Sequence, residues 1–152
     1  METLSTELRQ LVNEFANRFN SISENEFAAK PIPGKWSKKE VLGHLIDSAQ
    51  NNLRRFICGQ YEAAPPKILY DQDFWVKVNN YQQVPAHDII LLWRLMNERI
   101  ADVLLTMPEE NAKKNCDTGK LHSIEWLAAD YVKHMKHHLN QIIAGSFDVV
   151  YN

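Results

Sequence analysis

Apolar residues recur at intervals of three and four in four long runs of this chain, separated by polar stretches that carry the prolines and most of the glycines. Leu4, Leu8, Leu11, Val12, Phe15 and Phe19 form one stripe and predict a helix from about Leu4 to Asn20. Leu42, Leu45, Ile46, Ala49, Leu53, Phe56 and Ile57 predict a second, starting at Ser37 and running to about Ile57, with Gly59 as its stop. Its first residues, S-K-K-E, are a capping box: the Ser37 hydroxyl can accept from the Glu40 amide while the Glu40 carboxylate accepts from the Ser37 amide. The third helix is expected from about His87 to Met107, carrying Ile90, Leu91, Trp93, Leu95, Ile100, Val103 and Leu104, and ended by Pro108. The fourth is expected from Ser123 to about Ile143, before Gly145. A long connection from about Gln60 to Ala86 separates the second helix from the third, with Pro65-Pro66 and a short helix near Asp71 to Val78. No segment alternates as a strand does. The pattern predicts an all-α fold: one domain over residues 1–152, a four-helix bundle with a long crossover between helices two and three.

Polar residues interrupt two of these stripes. Three of the six histidines fall within five positions of the fourth helix, in K-H-M-K-H-H-L-N-Q-I, residues 133–142. At about 100° per residue, His134 and His138 lie about 40° apart on one flank of the apolar stripe, and His137 points to the other side. Two imidazoles one turn apart can chelate one divalent ion, and they can equally be hydrogen-bonded edges of a core. On the second helix His44 shares a face with Val41, Ser48, Asn51, Asn52 and Arg55, a polar seam on the inner side of an apolar element. Bundle cofactor sites are built from such inward side chains on facing helices. Three neutral imidazoles suit zinc, nickel, cobalt or iron and leave a position open for water or substrate. Asp47 lies three residues after His44 and Asp130 four before His134. Either can orient a ligand imidazole or serve as a base, and either can be an exposed helix charge. Arg55, Asn51 and Asn52 are candidate contacts for a bound cofactor, against the plainer reading of Arg55 as a solvated residue.

Composition narrows the partners. Net charge is −2, with 45% hydrophobic and 24% charged residues, so no basic excess exists for nucleic acid. No apolar run is long enough to span a membrane. Cys58 and Cys116 form no Cys-x-x-Cys pair, and the N-terminus lacks a signal-peptide core. The expectation is a cytoplasmic protein acting on a small molecule. Cys116 or His122 closing the site as a fourth ligand is disfavoured, because both lie in the loop at a bundle end while the histidines lie mid-helix. Trp36 reads as a staple against the next helix, and Trp75, Trp93 and Trp126 as core or interface.

The segment G-K-W-S-K-K-E-V-L-G-H-L-I-D-S, from Gly34 to Ser48, resembles the W-S-x-x-[EQ]-[IV]-x-x-H-L-x-D segment of the DinB superfamily, its YfiT-like branch in particular. Y-V-K-H-M-K-H-H-L-N-Q-I, from Tyr131 to Ile142, resembles that family's closing H-x-x-x-H-x-x-Q-I. I-L-Y-D-Q-D-F-W, residues 68–75, resembles its crossover, and Arg99 falls where that branch carries an arginine. The resemblance implies a bundle of unusual left-handed topology, a zinc or nickel ion on His44, His134 and His138, and a homodimer. It also implies one of two activities. The first is transfer of a low-molecular-weight, bacillithiol-like thiol to an electrophile, with the metal activating the sulfur. The alternative is hydrolysis by a metal-bound hydroxide, for which Asp47 and Asp130 are the acidic residues nearest the ligands by helical position. No glutamate lies between His134 and His138, so the zincin base is missing. A third reading is a bundle that binds metal or ligand without catalysis.

Overall fold

The computed structural model describes residues 1–151. Four long helices form the bundle: α1 (Glu2–Phe19), α3 (Lys38–Tyr61), α5 (Ala86–Leu105) and α7 (Ile124–Ile142). Between them lie short helices α2 (Glu24–Ala28), α4 (Gln72–Asn79) and α6 (Glu109–Ala112), and a hairpin of β1 (Asn115–Asp117) and β2 (Leu121–Ser123). α5 packs against both α1 and α3, and α7 packs against α3 and, less extensively, α1. Leu8, Phe15, Phe19, Leu42, Leu45, Trp93, Ile100, Met135 and Leu139 are fully buried between them. Phe19 meets Phe27, Trp93 and Phe15 at ring-centroid distances of 5.8, 5.5 and 5.8 Å, an aromatic knot at the α1–α5 seam. Among the described residues no helix is long and apolar enough to cross a membrane.

The capping box is present in full. Ser37 Oγ accepts from the Glu40 amide at 3.1 Å, and the Ser37 amide donates to Glu40 Oε2 at 2.8 Å. The turn before it is also a local product. In Ile32-Pro33-Gly34-Lys35 the Lys35 amide donates to the Ile32 carbonyl, with Gly34 at φ +81°, as a turn with proline second and glycine third requires.

Three expectations are corrected. Gly59 does not stop the second helix, which continues to Tyr61. Gly59 sits where α3 passes the start of α7, and a Cβ there would lie 2.9 Å from Ile124 Cδ1. Its missing side chain serves close packing rather than termination. Second, Ile57 of the second stripe and Leu91 and Leu95 of the third lie outside the core, 42, 46 and 45% exposed. Third, a small sheet exists. β1 and β2 pair antiparallel with Cys116 opposite His122, and the chain after α3 joins them when the Ile68 amide donates to the Asp117 carbonyl at 2.9 Å. Three-residue strands are too short for alternation to register.

The long crossover is pinned to α3 at two points. Arg55 donates from Nε and Nη2 to the Ile68 carbonyl at 3.2 and 2.8 Å. Further on, Tyr81 lies flat over Gly43, where a Cβ would come within 2.1 Å of its ring. Only glycine leaves room for that ring at this point of α3.

Candidate metal site

The capping box starts α3 so that His44 comes two turns in, facing α7. Ser123, accepting from the Trp126 amide at 3.2 Å, starts α7 so that His134 and His138 face back. The three imidazoles converge. His44 Nε2 and His134 Nε2 stand 3.2 Å apart, and one ring nitrogen from each of the three lies within 4.8 Å of the others. Two nitrogens bound to one tetrahedral zinc at roughly 2.0–2.1 Å sit about 3.3 Å apart, so this pair already has chelating separation.

Burial sets the charge state. His44 is pushed down to about 3 by desolvation first and the neighbouring His138 second. Desolvation, then the charges of His138, His44 and His137, take His134 down to about 2. His138 is also lowered, mainly by burial. All three are therefore neutral near pH 7, the form in which imidazole ligates a metal. In the neutral pair one tautomer places a single proton between the two Nε2 atoms, and a divalent ion can take that proton's place and engage His138 as well. Among the described residues His44 Nδ1 is buried without a hydrogen-bond partner. The residues present fit a divalent ion.

His137 takes no part; its Nε2 meets Gln141 Nε2 at 3.1 Å. His138 Nδ1 meets Gln141 Oε1 at 3.0 Å, which turns the opposite ring edge to the other two histidines. His122 stacks on Trp126 at 3.8 Å and Cys116 Sγ donates to the Pro66 carbonyl, so neither reaches the trio.

The two aspartates are placed differently from either reading of them. Asp47 is fully buried rather than exposed, and it does not orient His44. Its Oδ1 accepts from Tyr81 OH at 2.6 Å and Asn79 Nδ2 at 2.8 Å, and its Oδ2 has no partner. Desolvation raises its pKa to about 6, against the opposing effect of those two donors. Asp130 accepts from Tyr151 OH at 2.9 Å and does not bond His134. Arg55 is not solvated: it is 9% exposed, bound to Ile68 O and to Asn52 Oδ1. Asn51 and Asn52 each donate to a carbonyl one turn back, of Asp47 and Ser48, at 2.9 Å. These three build the seam and the crossover, and their amide and guanidinium groups are largely spent.

Trp36 is no simple staple. Its ring lies 5.1 Å from that of His44, and with His138, Gln141, Val41 and Lys35 it lines an open cavity of about 690 Å³. That cavity gives a small molecule a route to the trio. Of the other tryptophans, Trp93 is core, Trp75 half-buried, and Trp126 47% exposed. Tyr151 carried no signal in the sequence, because it lies beyond the last periodic segment. Tyr81 and Asn79 likewise belong to an irregular crossover whose path only the fold reveals.

The chain and its fold have known relatives. "Putative metal-dependent hydrolase YfiT" of Bacillus subtilis (strain 168) is 26% identical over 112 residues, which are 72% of this chain and 63% of the relative's length. A "Putative metal-dependent hydrolase" of Geobacillus thermodenitrificans (strain NG80-2) is 24% identical over 140 residues, 90% of this chain and 79% of its own. The solved structure of Bacillus subtilis YfiT, described as an unusual four-helix bundle, superposes with a TM-score of 0.83 at 20% identity, covering 92% of this chain and 82% of that one. A mycothiol-dependent maleylpyruvate isomerase superposes with a TM-score of 0.74 at 11% identity, covering 98% of this chain and 64% of that one, a likeness of fold alone. The DinB superfamily pattern matches residues 7–142, from the second turn of α1 to the end of α7 and through all three converging histidines, and the chain belongs to the DinB superfamily.

Proposed function

We propose that the chain is a divalent-metal-dependent enzyme whose ion is held by His44, His134 and His138, and that it transfers a low-molecular-weight thiol to an electrophile. One observation carries the reading: three imidazole nitrogens within 4.8 Å, kept neutral by burial, with His138 lining an open cavity. Three ligands and, among the described residues, no fourth in the cluster are the donor set of a catalytic centre rather than a closed structural one. When bound, the ion supplies a Lewis acid that lowers the pKa of a sulfur or water ligand.

The chain's own residues favour sulfur over water. A free thiol begins near pKa 8.5, so it needs little help to ionise at neutral pH, whereas water needs far more. A hydrolase would gain from a carboxylate placed to take water's proton. Asp47 is instead engaged with Tyr81 and Asn79, and Asp130 with Tyr151. The isomerase with the same fold is described as mycothiol-dependent, which supports a thiol. Hydrolysis is the second reading, supported by the names of the relatives in Bacillus subtilis and Geobacillus thermodenitrificans.

The test is elemental analysis of the protein purified without a histidine tag or nickel resin, beside His134→Ala/His138→Ala. The expected result is near-stoichiometric transition metal in the wild type and its loss in the variant. No metal after reconstitution with zinc, nickel or cobalt would sink both enzyme readings. With metal in place, consumption of thiol against a chromogenic electrophile, compared with release from chromogenic esters, separates transferase from hydrolase.

A further inference from the structure

Beyond α7 the chain doubles back along the bundle. Gly145, at φ +74°, makes the reversal. Asn140 then clasps the returning backbone: its Nδ2 donates to the Phe147 carbonyl and its Oδ1 accepts from the Phe147 amide, both at 2.8 Å. The Phe147 ring stacks on Phe15 of α1 at 5.4 Å. So anchored, residues 143–151 form a strap that lays Tyr151 against the turn of α7 bearing the site.

Tyr151 is gripped at both ends. Its hydroxyl donates to Asp130 Oδ2 at 2.9 Å, and its ring meets His134 edge-on, centroids 5.2 Å apart at 65°. Asp130 and His134 are one turn apart on one face of α7, and the phenol spans that turn. Metal-ligating histidines are usually oriented by a hydrogen bond from their other ring nitrogen. Among the described residues nothing bonds His134 Nδ1, and the only polar contact of its ring is Nε2 with His44 Nε2. Its angle is set by packing: the rings of His138 and His44 meet it at 4.4 and 5.2 Å, and on the remaining flank lies the tethered ring of Tyr151.

We infer that Tyr151 is a positioning residue of the three-histidine centre: held by Asp130, its ring fixes the His134 imidazole with Nε2 aimed at His44 and covers that flank of the site. This rests on the metal-centre reading above. It explains why Asp130, placed one turn before a ligand, bonds a phenol rather than the imidazole. Trp36 against His44 and Tyr151 against His134 then flank the trio, leaving the cavity beside His138 for a ligand.

The test follows metal release. Wild type, Tyr151→Phe, Tyr151→Ala, Asp130→Asn and Asn140→Ala are loaded with zinc, mixed with excess chromophoric chelator, and timed. Cobalt-loaded samples of each give the visible absorption of the site, and melting temperature reports stability separately. Tyr151→Ala is expected to release zinc about tenfold faster than wild type and to shift the cobalt bands, in the range that loss of a ligand-orienting contact costs. Tyr151→Phe, which keeps the ring and loses the tether, is expected to fall between, and Asp130→Asn, which keeps a neutral acceptor for the phenol, to lie nearer wild type. Asn140→Ala, which frees the strap without touching the histidines, is expected to move the same way. Should Tyr151→Ala fail to fold, Tyr151→Phe and Asn140→Ala carry the test. A purely structural role lowers the melting temperature and leaves release rate and cobalt spectrum at wild-type values, and that outcome overturns the inference. A wild type that takes up neither zinc nor cobalt overturns the metal reading and this inference with it; normal uptake with indifferent variants overturns this inference alone.

Discussion

Gly43 precedes His44 on α3, and its importance lies in what it omits. A side chain there would strike the ring of Tyr81, whose hydroxyl holds the buried Asp47. Gly43→Ala is therefore expected to lose about 3 kcal/mol, the upper end of ordinary overpacking, despite alanine's better helix propensity. Urea denaturation checks this; a stability within 0.5 kcal/mol of wild type, the usual scatter of neutral surface changes, would show that Tyr81 does not need this space. The neighbourhood also shows how far single residues could be read. His44, His134 and His138 announce themselves by type and spacing. Asp47 does not, because whether a carboxylate three residues after a ligand bonds it depends on a tyrosine 34 positions away.

At the scale of elements, α3 carries His44 and the polar seam beside it, and its register is set at its first turn. Ser37 caps it, and Gln82 of the crossover donates to the same hydroxyl at 3.0 Å. Ser37→Ala is expected to cost about 1 kcal/mol, typical of a lost N-cap, and somewhat more because Gln82 loses its acceptor. Thermal or urea unfolding measures it, and an unchanged midpoint would refute the cap's contribution. The helices were legible because capping and apolar period are local. The end of α3 was not: glycine is a common stop signal, and only the approach of Ile124 reveals that Gly59 is there for packing.

At the scale of the molecule, the buried histidines tie stability to pH. His44 and His134 have folded pKa values lowered to about 3 and about 2 from 6.5. Their contribution is present above the unfolded value and is lost as pH falls through that window, because the unfolded chain binds protons the native core refuses. Asp47 works the other way. Its folded pKa is raised from 3.8 to about 6, so its contribution is present below the unfolded value and is lost as pH rises through about 6. Two lowered histidines outweigh one raised aspartate. The metal-free protein is expected to lose stability from about pH 6.5 downward, and Asp47→Asn to steepen that loss between about pH 6 and 4. Denaturation midpoints at stepped pH test both signs; a flat profile would contradict the burial of the trio. Bound zinc is expected to raise the melting temperature at pH 7 and to do less as acid protonates the ligands.

The amino-acid sequence by itself determined what is local or periodic: four amphipathic helices, the capping box at Ser37, a helix in the crossover, and three histidines on inward faces with His137 turned away. These follow from hydrogen bonds and side-chain spacing within a few residues of one another. Tertiary structure alone decided what depends on contacts between distant segments. It brought His44 to 3.2 Å from His134, gave Asp47 to Tyr81 and Asn79, and sank Arg55 beneath the crossover. It also opened a cavity beside Trp36 and laid Tyr151 on His134. Loops and straps carry no period, so their destinations are written only in the surfaces they come to cover.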